Sequence, residues 1–297
     1  MHYIIMDLEW NTSYSKKLKN FVNEIIEIGA VMVDENLEVT DTFSVLIRSQ
    51  LSNKLSGRVK NLTHISNEDM YGGISFNKAI SDFSKWINGK DCIFMSWGNS
   101  DLRVMLDNLK FFADIDTIPF IPAYMDLQKY CQQKLQLSNA QQVGLSTAAT
   151  LFGIDVSEYS THRALDDSLL SLRCLKKSFN REDIINQTAV CDEVFYKKLL
   201  FKAKFITNIH DDRIDRSKMV CYCDNCKKRM SKVSEWKSVN QSFRALFYCK
   251  NCDDYAMFTI RFKDCYDHID VRSKKSKIAD NENATDKPDK KEKKDKE

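Results

Sequence analysis

The sequence predicts an α/β fold: a mixed β-sheet flanked by helices, followed by a small C-terminal cysteine-rich unit. Three observations point there. Short apolar runs of strand length alternate with amphipathic stretches of helical period over residues 1–178. The first three apolar runs follow one another without an obvious long helix, which predicts an antiparallel meander within a mixed sheet; a dominant meander would shift the class to α+β. After about residue 178 the texture changes and two Cys-x-x-Cys pairs follow.

Strands are expected at 3–8, 26–34, 39–47 and 91–96, where apolar and β-branched residues cluster. Residues 76–86 and 100–112 repeat apolar positions every three or four residues, as amphipathic helices do. Pro119 and Pro122 mark a turn before a strand at 124–127. Gly144 opens a short helix that Gly153 ends. Small and apolar residues at helical spacing predict a helix over 161–172, with Thr161 as N-cap. Residues 181–200 read as one or two helices. Strands at 245–248 and 255–261 lead into and out of the second cysteine pair. The expected organisation is a first domain over 1–178, a helical connector over 179–215, a ribbon over 216–272 and a disordered tail over 273–297. That tail mixes Lys, Asp, Glu and Asn almost without apolar residues, so it cannot bury enough surface to fold.

Composition narrows the function classes. With 43% hydrophobic and 29% charged residues over 297 positions, the chain has the usage of a globular protein with room for one good core and a smaller unit. No stretch is long and apolar enough to span a bilayer. The N-terminal apolar run ends in acids and has no basic start, so it does not read as a signal peptide. Ten cysteines without an export signal predict a reducing, cytoplasmic setting and metal rather than disulfides. The net charge of +3 leaves any nucleic-acid binding to local patches.

The chemistry concentrates in a few residues. The run Tyr3-Ile4-Ile5-Met6-Asp7-Leu8-Glu9-Trp10 ends in carboxylates at i and i+2, which share one face of a strand. Two negative charges on one face of a core strand call for a compensating cation, and hard divalent cations favour carboxylate oxygens. Asp101 adds a further carboxylate. On the predicted helix, His162 and Asp167 are five residues apart, about 140° around the axis; Asp166, at i+4 from His162, competes with Asp167 or is a solvated partner of Arg163 or His162. Singly these features are ordinary. Asp-x-Glu closes many strands, and Asp101 suits a helix N-cap. Together and in this order they carry weight.

This pattern resembles the DEDDh family of 3′→5′ exonucleases, which has a ribonuclease H-like fold. The family's His-x4-Asp spacing selects Asp167. The segment from Glu24 to Val31 resembles the entry to the family's second strand, and Leu62-Thr63-His64-Ile65-Ser66 resembles the loop that touches the substrate end. Ser96-Trp97-Gly98-Asn99-Ser100-Asp101 resembles the central motif of ERI-like RNA exonucleases, and Asp7-Leu8-Glu9-Trp10-Asn11 that of a KapD-like bacterial subgroup. The resemblance implies that Asp7, Glu9, Asp101 and Asp167 bind two Mg²⁺ or Mn²⁺ ions, with His162 as general base. It implies release of nucleoside 5′-monophosphates from 3′ ends of single-stranded RNA, modestly favoured, or DNA. Leu8, Trp10 and Ile65 are candidates to wall the terminal base, ordinary core packing being the alternative. A proofreading or repair-type DNA exonuclease, or an inactive nucleic-acid-binding adaptor, are the competing readings.

Cys223-x-x-Cys226 and Cys249-x-x-Cys252, separated by 22 residues, predict one structural Zn²⁺ in a zinc-ribbon-like unit. Cys221 is spare; it could replace Cys223, but Cys223 makes the Cys-x-x-Cys. Lys and Arg interleaved with Trp236, Phe243, Phe247, Tyr248, Tyr255 and Phe258 suit nucleic acid, a small aromatic core with a solubilising surface, or a protein partner.

Overall fold

The computed structural model describes residues 1–138, 142–157 and 162–277. Thr161, the expected N-cap, and the tail from residue 278 lie outside these. The chain divides into two compact units, Met1–Leu200 and Phe201–Glu297.

The first unit opens with the meander: β1 (His2–Ser15), β2 (Asn20–Val33) and β3 (Val39–Leu46). Then come α1 (Gly57–Thr63), α2 (Asn67–Gly72), α3 (Phe76–Ile87), β4 (Cys92–Ser96), α4 (Ser100–Ala113) and β5 (Ala123–Asp126). It closes with α5 (Leu127–Lys134), α6 (Leu145–Leu151), α7 (Ala164–Ser178), α8 (Arg181–Gln187), β6 (Ala189–Val190) and α9 (Glu193–Leu200). The sheet order is β3-β2-β1-β4-β5-β6. β1, β2 and β3 pair antiparallel, whereas β4 runs parallel to both β1 and β5. This is the expected mixed sheet, with a hairpin of β1 and β2 that reaches further towards its turn than the apolar runs alone suggested.

Period-two alternation sorts β1 onto two cores. Ile4 and Met6 pack with Phe83 of α3 and Leu102 and Met105 of α4. Tyr3 and Ile5 pack on the opposite face with Tyr130 of α5 and Leu170 and Leu175 of α7. Asp7 and Glu9 continue the odd-numbered series, so they project from the face that α7 covers.

Helix α7 approaches the sheet at Gly29 of β2. A Cβ built there would lie 2.1 Å from the backbone of Ala164 and Leu165. Ser168 Oγ closes the contact, donating to the carbonyls of Gly29 (3.1 Å) and Ala164 (2.8 Å).

The expected connector is not a separate element. Ile184 of α8 and Tyr196 and Leu199 of α9 are buried in the first unit's cores. Tyr196 Oη accepts from Ile118 N–H (3.0 Å) and donates to Ile118 carbonyl (3.2 Å). Residues 201–215 belong to the second unit, where Ile206 and Ile214 join its core.

The second unit contains β7 (Lys204–Phe205), a 3-10 turn (Arg216–Lys218), β8 (Ser231–Lys232), β9 (Lys237–Val239), β10 (Ser242–Cys249), β11 (Asp254–Asp264) and β12 (Ile269–Lys277). The order is β12-β11-β10-β8, with β7 paired to β11 and β9 to β10. Phe243, Phe247, Phe258, Ile260 and Phe262 fill one side of this sheet. Strand β12 corrects the expected tail: Ser273 to Lys277 pair antiparallel with Ile260 to Ala256. Backbone pairing needs no apolar side chain on a solvated edge, where lysines are common.

Gly29→Ala is expected to destabilise the first unit by roughly 1–3 kcal/mol or more, because overpacking there must displace backbone. Gly57→Ala, whose Cβ meets nothing within 4 Å, should shift stability by less than about 1 kcal/mol. Urea unfolding of both variants measures the contrast; equal stabilities would show that α7 does not dock closely at Gly29.

Candidate active site

Strand β4 pairs with β1 only as far as Ile5. Beyond that point β1 continues unpaired to β4, and a cleft of about 690 Å³ opens along it, past the carboxyl end of β4. Asp7, Leu8, Glu9, Trp10, Asp101, His162 and Asp167 all line it.

Each side chain arrives for a local reason. Asp7 and Glu9 come from the odd face of β1. The β1–β2 register shifts just after Glu9, and Asn108 of α4 satisfies the irregular backbone. Its Oδ1 accepts from Ile25 N–H (3.1 Å), and its Nδ2 donates to Asn23 carbonyl (2.7 Å). Asp101 sits in the first turn of α4, whose N-cap is Asn99; it is therefore not the cap. Its Oδ1 accepts from Leu8 N–H at 3.1 Å, tying α4 to β1 at the cleft floor. Gly98, with φ of 85°, turns the chain between β4 and α4. Ser96 Oγ (2.6 Å) and Tyr124 Oη (2.7 Å) both donate to its carbonyl and hold that turn.

His162 departs from the expected helix. Helix α7 begins at Ala164, and His162 precedes it with φ of 69°. The helical-wheel angle between His162 and Asp167 therefore does not apply. Instead, the left-handed backbone turns the His162 N–H onto Asp167 Oδ2 at 3.1 Å. The exposed His162 ring, Glu9 and Asp167 each offer a ligand atom, all within 4.8 Å of one another. Asp166 is not among the cleft-lining residues, whereas Asp167 is.

Two further residues organise this corner. Glu27 lies directly opposite Glu9 in the β1–β2 register and is 1% exposed. Like charges in that position repel. Arg163 meets Glu27 through Nη2 (2.7 Å) and Nε (3.2 Å), and Ala164 N–H donates to the same carboxylate (3.2 Å). A lone pair of acids, Glu24 and Glu27, inside an apolar run was the available signal. Glu24 serves elsewhere, accepting from Ser49 Oγ (2.5 Å) and Leu51 N–H (3.2 Å).

Trp10 is half-buried and lines the cleft, and Leu8, 2% exposed, does so from the core edge. The structure places Ile65 instead in a separate cluster with Ile26, Leu55 and Met70, away from the cleft lining. From α1, just before Ile65, Arg58, Val59 and Leu62 line the cleft, joined by Trp97. Trp97 lies inside the motif read for Asp101 and was not singled out.

The carboxylates raise one another's proton affinity. Burial and the charges of Asp101, Asp167, Glu9 and Glu27 push Asp7 well above the ordinary range. Burial, then Asp167 and Glu27, push Glu9 up to about 8. Burial drives Asp101 up to about 7, against the N–H groups of Asp101 itself and Leu8. Burial also raises Asp167, against the His162 N–H. This is the electrostatic signature of a site shaped for cations, and its all-oxygen carboxylate set fits Mg²⁺ or Mn²⁺.

In the second unit, the sulfurs of Cys223, Cys226, Cys249 and Cys252 form a second candidate metal group, again within 4.8 Å of one another. A knuckle presents the first pair: Cys223 N–H donates to Lys228 carbonyl (2.9 Å), and Lys227 N–H to Cys223 carbonyl (3.0 Å). The N–H groups of Cys226 and Asn225 pull the Cys223 thiol down to about 7. Cys221 is outside this group; its Sγ donates to Met230 Sδ at 3.6 Å within the core.

Comparison with known proteins bears on the first unit. A family model described as exonuclease, RNase_T, matches residues 4–175. A protein described as the probable 3′-5′ exonuclease KapD of Bacillus subtilis (strain 168) is 30% identical over 174 residues, 58% of this chain and 82% of that protein. A structure described as 3′-end specific recognition of histone mRNA stem-loop by 3′-exonuclease superposes with a TM-score of 0.53 at 18% identity, covering 64% of this chain and 84% of that one. The nuclease domain of 3′hExo, a DEDDh family member bound to rAMP, gives 0.50 at 21% identity over 58% of this chain and 88% of its own. These structural likenesses show the ribonuclease H-like nuclease fold.

Between about pH 4 and pH 8 the folded, metal-free cleft holds protons that the unfolded chain has released, so its stability falls as pH rises through that window. Mn²⁺ should therefore raise the first unit's melting temperature more at about pH 8, where the carboxylates are otherwise in conflict, than at about pH 5, where it competes with protons. Calorimetry at both pH values is the check. An equal gain at the two, or none, would mean that the cleft carboxylates do not bind the ion.

Proposed function

This chain belongs to the RNase_T exonuclease family, and from that premise we propose that it is a metal-dependent 3′→5′ exonuclease acting on single-stranded nucleic acid, RNA modestly favoured over DNA. The observation that carries the reading is the convergence of Asp7, Glu9, Asp101, Asp167 and His162 in one cleft. With all five present, an inactive binding adaptor is the weaker reading. The RNA preference rests on the resemblance of residues 96–101 to the ERI-like motif, and a DNA exonuclease is the alternative.

Asp7, Glu9, Asp101 and Asp167 are the residues to hold two Mg²⁺ or Mn²⁺ ions. Bound there, such ions would supply Lewis-acid chemistry, favouring deprotonation of the attacking water and stabilising charge on the leaving oxygen. His162 accepts the proton of the attacking water, its exposed ring lining the cleft beside Glu9 and Asp167. The water oxygen bonds to the terminal phosphorus as the bond to the 3′ oxygen of the preceding nucleotide breaks. The products are a nucleoside 5′-monophosphate and a strand shortened by one residue. Asp167, through Oδ2 and the His162 N–H, holds the base at the cleft edge. Trp10, Leu8, Leu62 and Trp97 offer apolar walls for the terminal nucleotide, and Arg58 a cation for a phosphate. No helix among the described residues is long and apolar enough to cross a membrane.

For the second unit, Cys223, Cys226, Cys249 and Cys252 are proposed to hold one structural Zn²⁺, since four clustered thiols match its preferred ligand set. The first domain, proposed from sequence to end at 178, is on this reading extended by α8 and α9.

Purified protein with matched 5′-labelled single-stranded RNA and DNA should give a ladder of shortened products, RNA the faster. Asp7→Ala should abolish it, and His162→Ala should slow it by ~10²–10⁴. Asp167→Asn should cost far more than Asp166→Asn. Near-normal turnover in Asp7→Ala would sink the assignment, and faster DNA digestion would reverse the substrate preference.

Zinc should co-purify at about one ion per chain and be lost in Cys226→Ser but kept in Cys221→Ser. Chelation should melt the second unit while the first keeps its transition. Retention of zinc in Cys226→Ser would remove this metal set.

A further inference from the structure

The sheet of the second unit has two unlike faces. One carries the aromatic core. The other follows from the alternation of β10, β11 and β12, whose registers align their side chains across the sheet. Arg244 stands opposite Thr259, and Thr259 opposite Lys274. Arg261 stands opposite Arg272 in the next row. Together these rows line a concavity of about 400 Å³.

Its chemistry is one-sided. Four cations, Arg244, Arg261, Arg272 and Lys274, line it together with the hydroxyls of Ser242 and Thr259, and no acid does. Among the described residues, one carboxylate is paired with this cluster: Asp270, with Arg272 Nε at 3.0 Å. The arginines are held in place rather than waving in solvent. Arg261 lies over the Phe205 ring at 5.3 Å, with Lys263 over the same ring at 5.8 Å. Arg244 Nε is buried and has no hydrogen-bond partner among the described residues. A buried guanidinium nitrogen without an acceptor is costly, and an anion seated in the concavity would supply one.

We propose that this face binds the phosphates of a nucleic-acid strand. Guanidinium forks match phosphate oxygens in a bidentate way that single lysines do not. Clustered cations without intervening acids suit a repeating polyanion, which repays their mutual repulsion by releasing its own counterions. Identifying the anion as a nucleic-acid strand rather than an acidic protein rests on the exonuclease reading of the first unit. The face therefore serves to retain the substrate, and the cleft to cut it.

The test uses the full chain and reads the two functions apart. Binding of a fluorescein-labelled single strand of about 20 nucleotides is followed by anisotropy over a salt series, in the Asp7→Asn background so that the strand survives. Hydrolysis of a trinucleotide is followed with Asp7 intact. Replacing Arg272 and Lys274, both exposed on β12, by Gln should weaken long-strand binding about tenfold, reduce the slope of log affinity against log salt by about 1.4, and leave trinucleotide hydrolysis unchanged. Arg244→Gln should weaken binding further, with its fold checked by circular dichroism and zinc content. Lys227→Gln with Lys228→Gln, the same charge change on the exposed knuckle, should not alter the slope. Equal effects of the two pairs, or none from Arg272 and Lys274, would overturn the proposal. Competition by poly-glutamate as effective as by unlabelled strand would overturn it in favour of an acidic protein. Loss of strand binding in the Arg272 and Lys274 variant of a chain that cuts no trinucleotide would instead keep this face and discard the exonuclease reading.

Discussion

The close approach of α7 to β2 is the constraint on which the carboxylate-lined corner of the cleft depends. Only Gly29 allows the helix backbone to lie against the strand, because any Cβ would fall inside Ala164 and Leu165. Ser168 fixes the contact from the helix side. Glu27, two residues before Gly29, then receives Arg163 and the Ala164 N–H. Packing, a half-buried ion pair and a backbone hydrogen bond thus set the start of α7 together. Three residues further along, Asp167 reaches the cleft, and just before the helix the chain must turn left-handed at His162. Only the Glu27 side of this pair is buried, and its multiple hydrogen bonds offset the cost of desolvating that carboxylate. Its value here is positional.

The cleft itself works against stability. Asp7, Glu9, Asp101 and Asp167 share a partly buried space, and each is pushed toward its protonated form by burial and by its neighbours. A packed apolar corner would be more stable, but it could not hold cations. The protein contains the conflict with local hydrogen bonds: Leu8 N–H on Asp101, and His162 N–H on Asp167. Arg163 answers Glu27, the fifth acid in the neighbourhood. Such tension between a functional site and the surrounding fold is the usual pattern.

The second unit solves a different problem. It has a single aromatic layer on one face of its sheet, too small a core to expect much stability alone. Four clustered thiols provide a site where a metal would staple the knuckles to the strands. The other sheet face carries charge: Arg244, Arg261, Arg272 and Lys274 gather there through cross-strand register.

Much was legible in the sequence because it depends on local period. Alternation in residues 3–9 placed Asp7 and Glu9 on one face, and helical spacing located α3 and α4 to within a residue or two. Residue spacing also brought Cys223, Cys226, Cys249 and Cys252 together as a group. What only the tertiary structure decided depends on distant partners. His162 left the helix because its N–H is drawn to Asp167 and the helix start is held by Glu27, a residue of another strand. Ile65 went to the core because Ile26, Leu55 and Met70 offer it an apolar pocket. Residues 181–200 joined the first unit because Ile118 and the sheet edge accept them. A period can say which way a side chain faces, but not which distant group meets it there, and that meeting is where the free energy of the site is decided.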